Sequence, residues 1–251
     1  EVSQVFIPPG PGDESISIGA AYAEAIKQGM DINKIESIPD AYFGTSYGDT
    51  SIERAIEKAN IKDWTVSKVQ PEDVAELLAK GDVIARFAAD KAEFGARSLG
   101  NRSIIADPRR SDVIHHINKL VKMRDFWMPF APSILAEREK DYMVNPKNID
   151  GRFMAIGFDS TSLAKEHMPA GLHPFDRSAR PQIVDQNENP GYHALIKAFE
   201  KKTGVGAVLN TSFNIHGEPI VGTPEQAIDT FSRCGLHHLL LGSWLISKTE
   251  K

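Results

Sequence analysis

A chain of 251 residues, 41% hydrophobic and 25% charged, has the composition of a soluble globular protein. It is long for one domain and short for two full ones, and it can bury roughly 70–75% of its unfolded surface without a disulfide or metal. The net charge of -5 speaks against nucleic acid as the main partner, because counterion release needs a basic face. No apolar run approaches the ~18 residues of a membrane span, and the single cysteine, Cys234, excludes an internal disulfide and suits a reducing, cytoplasmic setting.

The opening "EVSQVFIPPGPG" has neither an initiator Met nor the basic and apolar regions of a signal peptide. We expect a piece of a longer chain. "VFIPPGPGDESISIGAAYAEAIKQG" reads as a short strand, a Pro/Gly turn and a helix from Ser15 to Gln28 that Gly29 stops. The turn-rich stretch with Pro39, Gly44 and Gly48 reads as a linker. In "SIERAIEKAN", capped by Thr50 or Ser51, Ile52, Ala55, Ile56 and Ala59 share one helical face. "QPEDVAELLAKGD" is a short helix with Pro71 near its start and Gly81 past its end, and "VIARFAA" a strand. "RRSDVIHHINKLVKM" carries an apolar stripe of Val113, Ile114, Ile117, Leu120 and Val121. "GVGAVLNTSF" reads as a buried strand, "TPEQAIDTFSRCG" as a capped helix ending at Gly235, and "HHLLLGSWLIS" as one last strand. Alternating strands and helices indicate an α/β chain, with the first 65 or so residues forming a unit apart from the rest.

Three stretches bear on chemistry. Lys122 and Arg124 stand two apart before the apolar run Phe126–Phe130. On an extended strand such residues project to one face, roughly 7 Å apart. Two like charges on one face repel unless an anion bridges them, and a phosphate suits an Arg fork beside a Lys point charge. The same spacing also describes a solvated strand edge. Ser212 and Asn214, again two apart, end a buried strand, where ligands sit in α/β sheets; an ordinary polar turn is the other reading. In "AEFGARSLGNRSIIADPRR", Gly95 and Gly100 flank Arg97 and would let a ligand approach the backbone, though this is neither a P-loop nor a GxGxxG motif.

Together these stretches resemble the O-carbamoyltransferase family, which includes the nodulation-factor, cephalosporin and aminoglycoside carbamoyltransferases. "EFGARSLGNRSIIADPRRSDVIHHINKLVKMRDFWMPFAPSILAE", "FDRSARPQIV" and "LNTSFNIHGEPIVGTPEQAIDTF" match its three blocks in order and spacing, over most of residues 70–251. The resemblance implies two parts. Residues 1–66 would be the tail of an actin-like carbamoyl-transfer domain and a linker. Residues 67–251 would be a YrdC-like domain, a twisted mixed sheet with flanking helices, that forms carbamoyl-adenylate from ATP and carbamoyl phosphate. The carbamoyl group then passes to a hydroxyl-bearing acceptor. By the same resemblance Lys122 and Arg124 hold the triphosphate, Ser212 and Asn214 hydrogen-bond the nucleotide, and Arg97 and Arg180 bind carbamoyl phosphate. Mg²⁺ accompanies ATP through phosphate oxygens and water. Asp13 matches a metal ligand, typically for Fe²⁺, whose two histidine partners lie upstream in the family; as a lone Asp after Gly it also reads as a turn residue.

The sequence departs from the family pattern at several points. Met128 stands where F-R-P-F places an Arg, and Lys91 or Arg177 is the candidate replacement cation. Asp90 and Lys91 replace G-R, Ala96 replaces Pro, and Arg177 replaces Gly. Two alternatives to the enzyme follow: a nucleotide- or anion-binding module without catalysis, and a YrdC-like RNA-binding domain, which the acidic balance disfavours.

Overall fold

The computed structural model describes residues 7–35, 40–59, 61, 63–122 and 128–249. In chain order the helices are α1 (Ile16–Lys27), α2 (Asp49–Ala59), α3 (Pro71–Lys80), α4 (Val113–Ile117), α5 (Glu139–Tyr142), α6 (Ser162–His167), α7 (Pro190–Thr203) and α8 (Pro224–Arg233). The strands are β1 (Trp64–Lys68), β2 (Ile84–Phe87), β3 (Arg102–Ala106), β4 (Ala131–Leu135), β5 (Met143–Val144), β6 (Asp159–Ser160), β7 (Gln182–Val184), β8 (Ala207–Ser212), β9 (His238–Leu241) and β10 (Trp244–Lys248). Local chemistry sets the boundaries. Thr223 and Gln226 form a capping box at the start of α8, and Gly81 and Gly204 end α3 and α7 in left-handed conformations.

Eight strands form one mixed sheet in the order β1-β10-β9-β2-β3-β8-β4-β7, with β2–β9 and β4–β7 parallel and the other pairs antiparallel. Side chains alternate along each strand and so divide between two faces. Ile84, Ile105, Ile134, Val208 and Leu240 pack with Val74 and Leu78 of α3 and Leu195, Ile196 and Phe199 of α7. Ala85, Phe87, Ile104, Leu209, Leu239 and Leu241 pack with Ile52 and Ala55 of α2, Val113 and Ile117 of α4, and Ile228 and Phe231 of α8. The sheet is therefore covered on both faces, as a mixed α/β fold with flanking helices requires. Among the described residues no helix is long and apolar enough to cross a membrane.

Several expectations need correction. "HHLLLGSWLIS" is not one strand but a hairpin, β9 and β10, turning at Gly242 with φ 61°. The extended reading of Lys122 is overturned: Lys122 closes a π-helical turn, Asn118–Lys122, that continues α4. Arg124 lies outside the described residues, as does most of the first expected strand. β1 pairs with β10, and α2 belongs to the core shared with α8. By contrast α1 buries none of its residues.

Arg177 has φ 62°, a left-handed conformation, in the loop between His173 and Ser178. A side chain there costs about 1–2 kcal/mol that a glycine would not. Arg177→Gly should raise unfolding stability by up to about 1 kcal/mol, read from the midpoint of a urea transition; a lowered midpoint would refute the assignment.

Candidate functional site

The residues expected to act together lie 90 positions apart and meet at the end of β8. Lys122 is 1% exposed. Its Nζ donates to Ser212 Oγ at 3.0 Å, to the Asn214 carbonyl at 3.1 Å and to Asn214 Oδ1 at 2.6 Å. Ser212 Oγ donates in turn to Asn214 Oδ1 at 2.6 Å. Asn214 Nδ2 donates to the carbonyls of Ile215 at 3.1 Å and Glu218 at 2.6 Å, which fixes the amide's orientation. An ammonium has three donors and no acceptor, and these contacts engage it with Ser212 and Asn214. An anion reaching Lys122 must exchange with Ser212 or Asn214 rather than meet a bare charge. The helix delivers Lys122 through its π-turn, a departure from α geometry that often marks functional sites.

Beside this cluster is a cleft of about 60 Å³ lined by Arg97, Ser98, Phe130, Met154, Arg180, Thr211 and Ser212, among others. The structure thus brings Arg97, Arg180 and Ser212 together, with Lys122 and Asn214 joined through Ser212. The volume equals about two waters at ~30 Å³ each. It suits an oxyanion group and not a whole nucleotide, which must extend beyond the cleft. Arg97 is exposed and makes no hydrogen bond or ion pair among the described residues. Arg180 donates through Nη1 to the Met154 carbonyl at 2.6 Å. Met154 holds φ 53° while 4% exposed, and a strained backbone at a ligand cleft is a recognised functional feature. Of the expected apolar wall, Phe130 is buried against the cleft, whereas Met128 is exposed and Phe126 and Trp127 lie outside the described residues. Neither Lys91 nor Arg177, the candidate substitutes for the missing Arg at 128, lines the cleft. Asp13 sits exposed in the single 3-10 turn before α1, as a turn residue would.

A buried polar network supports the cleft, and sequence reasoning missed most of it. Glu93 Oε1 accepts from the backbone N–H of Leu99 at 2.7 Å, Asn101 at 2.6 Å and Arg102 at 3.1 Å, and so shapes the loop that carries Arg97. Asn210 Nδ2 lies 3.1 Å from the Ser98 carbonyl, Ser133 Oγ and Gln182 Oε1. Gln182 Nε2 donates to the Leu99 carbonyl at 2.7 Å. Arg102, 1% exposed, stacks 3.7 Å from the Phe87 ring and donates to the carbonyls of Ala88 at 2.8 Å and Asn101 at 2.9 Å. Burial pulls its pKa down to about 10. One signal was available: Asn210, Ser212 and Asn214 continue the same two-residue spacing. Glu93, inside the quoted E-F-G element, gave no local sign of its role. Glu93→Ala strands three N–H donors and should lower stability by about 3 kcal/mol, with faster hydrogen exchange at Leu99 and Asn101; unchanged protection at those amides would contradict this role.

Known proteins similar to the chain cover more than its own length. An uncharacterized protein of Methanocaldococcus jannaschii is 38% identical over 98% of this chain and 40% of its own. Nodulation protein NolNO of Sinorhizobium fredii is 36% identical over 97% of this chain and 36% of its own. The chain therefore spans less than half the length of these relatives. Solved structures of HypF, one of the full-length protein in a phosphate- and nucleotide-bound form and one from T. kodakarensis, are 15% identical with TM-scores of 0.44 and 0.45, covering 67% and 74% of this chain and 21% and 23% of theirs. Residues 75–248 match the family described as carbamoyltransferase C-terminus, and the chain belongs to that family.

Proposed function

We propose that this chain is the adenylate-forming part of an ATP-dependent O-carbamoyltransferase, using ATP and carbamoyl phosphate to make carbamoyl-adenylate for transfer to a hydroxyl group. The observation that carries this reading is the convergence of Lys122 with Ser212 and Asn214 beside a cleft that also gathers Arg97 and Arg180. All five side chains carry hydrogen-bond donors of the kind an oxyanion accepts. The hydroxyl-bearing acceptor would bind in the larger remainder that such relatives possess.

The chemistry balances with one water. Water cleaves carbamoyl phosphate to carbamate and phosphate; a carbamate oxygen then attacks the α-phosphorus of ATP and displaces pyrophosphate. Negative charge grows on phosphoryl oxygens in this step, so fixed cations and dipoles stabilise it. Arg97 and Arg180 would grip carbamoyl phosphate as planar forks. Lys122 and Arg124 would face the triphosphate, with Ser212 and Asn214 donating to the nucleotide. Phe130 keeps one wall apolar and limits water, which protects a carbamoyl-adenylate from hydrolysis. Mg²⁺ would neutralise the triphosphate through phosphate oxygens and water. Mg²⁺ beside a nucleotide keeps several waters and binds chiefly through phosphate oxygens. Among the described residues no further His, Cys, Asp or Glu joins Asp13 in a metal-holding group, and no step here uses iron.

A second reading, an anion- or nucleotide-binding module without turnover, is favoured by Met128, which puts an exposed apolar side chain where the family pattern has Arg. Carbamoyl phosphate-dependent exchange of labelled pyrophosphate into ATP separates the two. Exchange supports the enzyme; ATP binding without exchange supports the module; the absence of both refutes the site. Arg97→Ala, at an exposed side chain with no hydrogen bond or ion pair among the described residues, should leave the melting temperature unchanged and weaken apparent carbamoyl phosphate affinity about 10–100-fold, the equivalent of about 1.4–2.7 kcal/mol.

A further inference from the structure

A second cavity, of about 350 Å³, opens where β2 and β9 end, beneath the N-termini of α3 and α7. It shares no lining residue with the cleft at Arg97, and its size falls within the ~300–1,000 Å³ of ordinary small-molecule sites. Arg86 lines it while only 5% exposed. One edge of this guanidinium is committed: Nη1 donates to the Gly100 carbonyl and, at 3.1 Å, to Asn101 Oδ1, and the plane lies 5.1 Å from the Tyr192 ring. The other edge is not. Among the described residues Nε and Nη2 make no hydrogen bond and no carboxylate forms an ion pair with Arg86. Burial lowers its pKa, as befits a cation whose charge lacks a countercharge in contact.

Gly191 stands in front of that unused edge. It is the second residue of α7, a 14-residue helix with no acidic residue in its first turn, so the positive end of the helix is uncompensated. The Asn189 side chain caps the next amide, Tyr192, at 3.1 Å. The Gly191 N–H itself has no acceptor among the described residues. A Cβ built on Gly191 would meet a single heavy atom within 4 Å, Arg86 Nη2 at 3.7 Å, so the space between the Gly191 Cα and that guanidinium nitrogen is open. A buried guanidinium edge and a helix N-terminal amide facing one opening compose an oxyanion cradle. Two exposed carboxylates, Asp49 and Asp90, also line the cavity, with Val69, Val74, Leu195 and Leu240 as apolar walls. The carboxylates repel a bare anion and accept hydrogen bonds from hydroxyls.

From this we infer that the Arg86–Gly191 cavity binds a small hydroxylated oxyanion, a phosphate ester or carboxylate, with its anionic end on Arg86 and the Gly191 amide and its hydroxyls toward Asp49 and Asp90. The inference does not depend on the proposed carbamoyl chemistry, since the two sites are separate. Titration with glycerol 3-phosphate, glycerate and inorganic phosphate, followed by calorimetry and by the Gly191 amide resonance, tests it. Saturable binding is expected for both hydroxylated probes, at least tenfold tighter for glycerol 3-phosphate than for inorganic phosphate. Gly191→Ala places a methyl group over the guanidinium at an ordinary contact distance, without backbone strain, and should weaken binding at least tenfold. Arg86→Gln should do the same, and the glycine variant decides the matter if the arginine variant fails to fold. Arg97→Ala should leave the Gly191 response intact, which separates this site from the cleft. An unresponsive Gly191 amide, undiminished affinity in Gly191→Ala, or equal affinity for inorganic phosphate and glycerol 3-phosphate would overturn the proposal.

Discussion

One ammonium group in an acceptor-lined hole organises the site. Lys122 comes from the end of a helix, and Ser212 and Asn214 from the end of a central strand, so the contact fastens two distant segments where the sheet meets its covering layer. Taking a lysine to 1% exposure is costly unless every donor is satisfied. Serine and asparagine oxygens supply acceptors for it.

The same choice of partner recurs around the cleft. Arg86 and Arg102 lean on carbonyl oxygens and aromatic rings. Elsewhere the protein pairs its arginines conventionally: Arg109 with Asp107 at 2.6 Å, and Arg152 with Asp150 at 2.7 Å. Backbone dipoles satisfy hydrogen-bond geometry while leaving the net charge in place, and so maintain a positive local potential in an acidic protein. The overall charge of -5 is a poor guide to such a pocket, because a few well-placed cations matter more than the sum.

How much of this was legible in the sequence depends on which residues carry the signal. The helices α1, α2, α3 and α8 follow from periodicity and capping residues, and β8 from its apolar run. The pair Ser212 and Asn214 stood out because strand geometry makes every second residue a neighbour. Lys122 was found for the right neighbours with the wrong geometry. A π-turn breaks the 3.6-residue period, and nothing local distinguishes it from the start of a strand. The strand β3 was hidden because it opens with Arg102 and Ser103, residue types usually on the surface, yet both are buried here by tertiary partners. The helix α7 begins Asn-Pro-Gly, which reads as a turn, and its buried face includes Tyr192 and His193. The hairpin of β9 and β10 was fused into one strand because Gly242 and Ser243 are flanked by apolar residues on both sides. Polar networks such as that of Glu93 are set by long-range contacts and leave no periodic trace.

The order of strands has a consequence for how the molecule is made. β1 pairs with β10, and β2 with β9, so residues near positions 64–87 find their lateral partners near positions 238–248. Half of the sheet therefore cannot close until the last strands are available. Such non-local pairing gives a high contact order and slow folding. During synthesis the hydrophobic strand β2 has only β3 to shelter it, and it is the late-arriving hairpin that completes the barrier to aggregation.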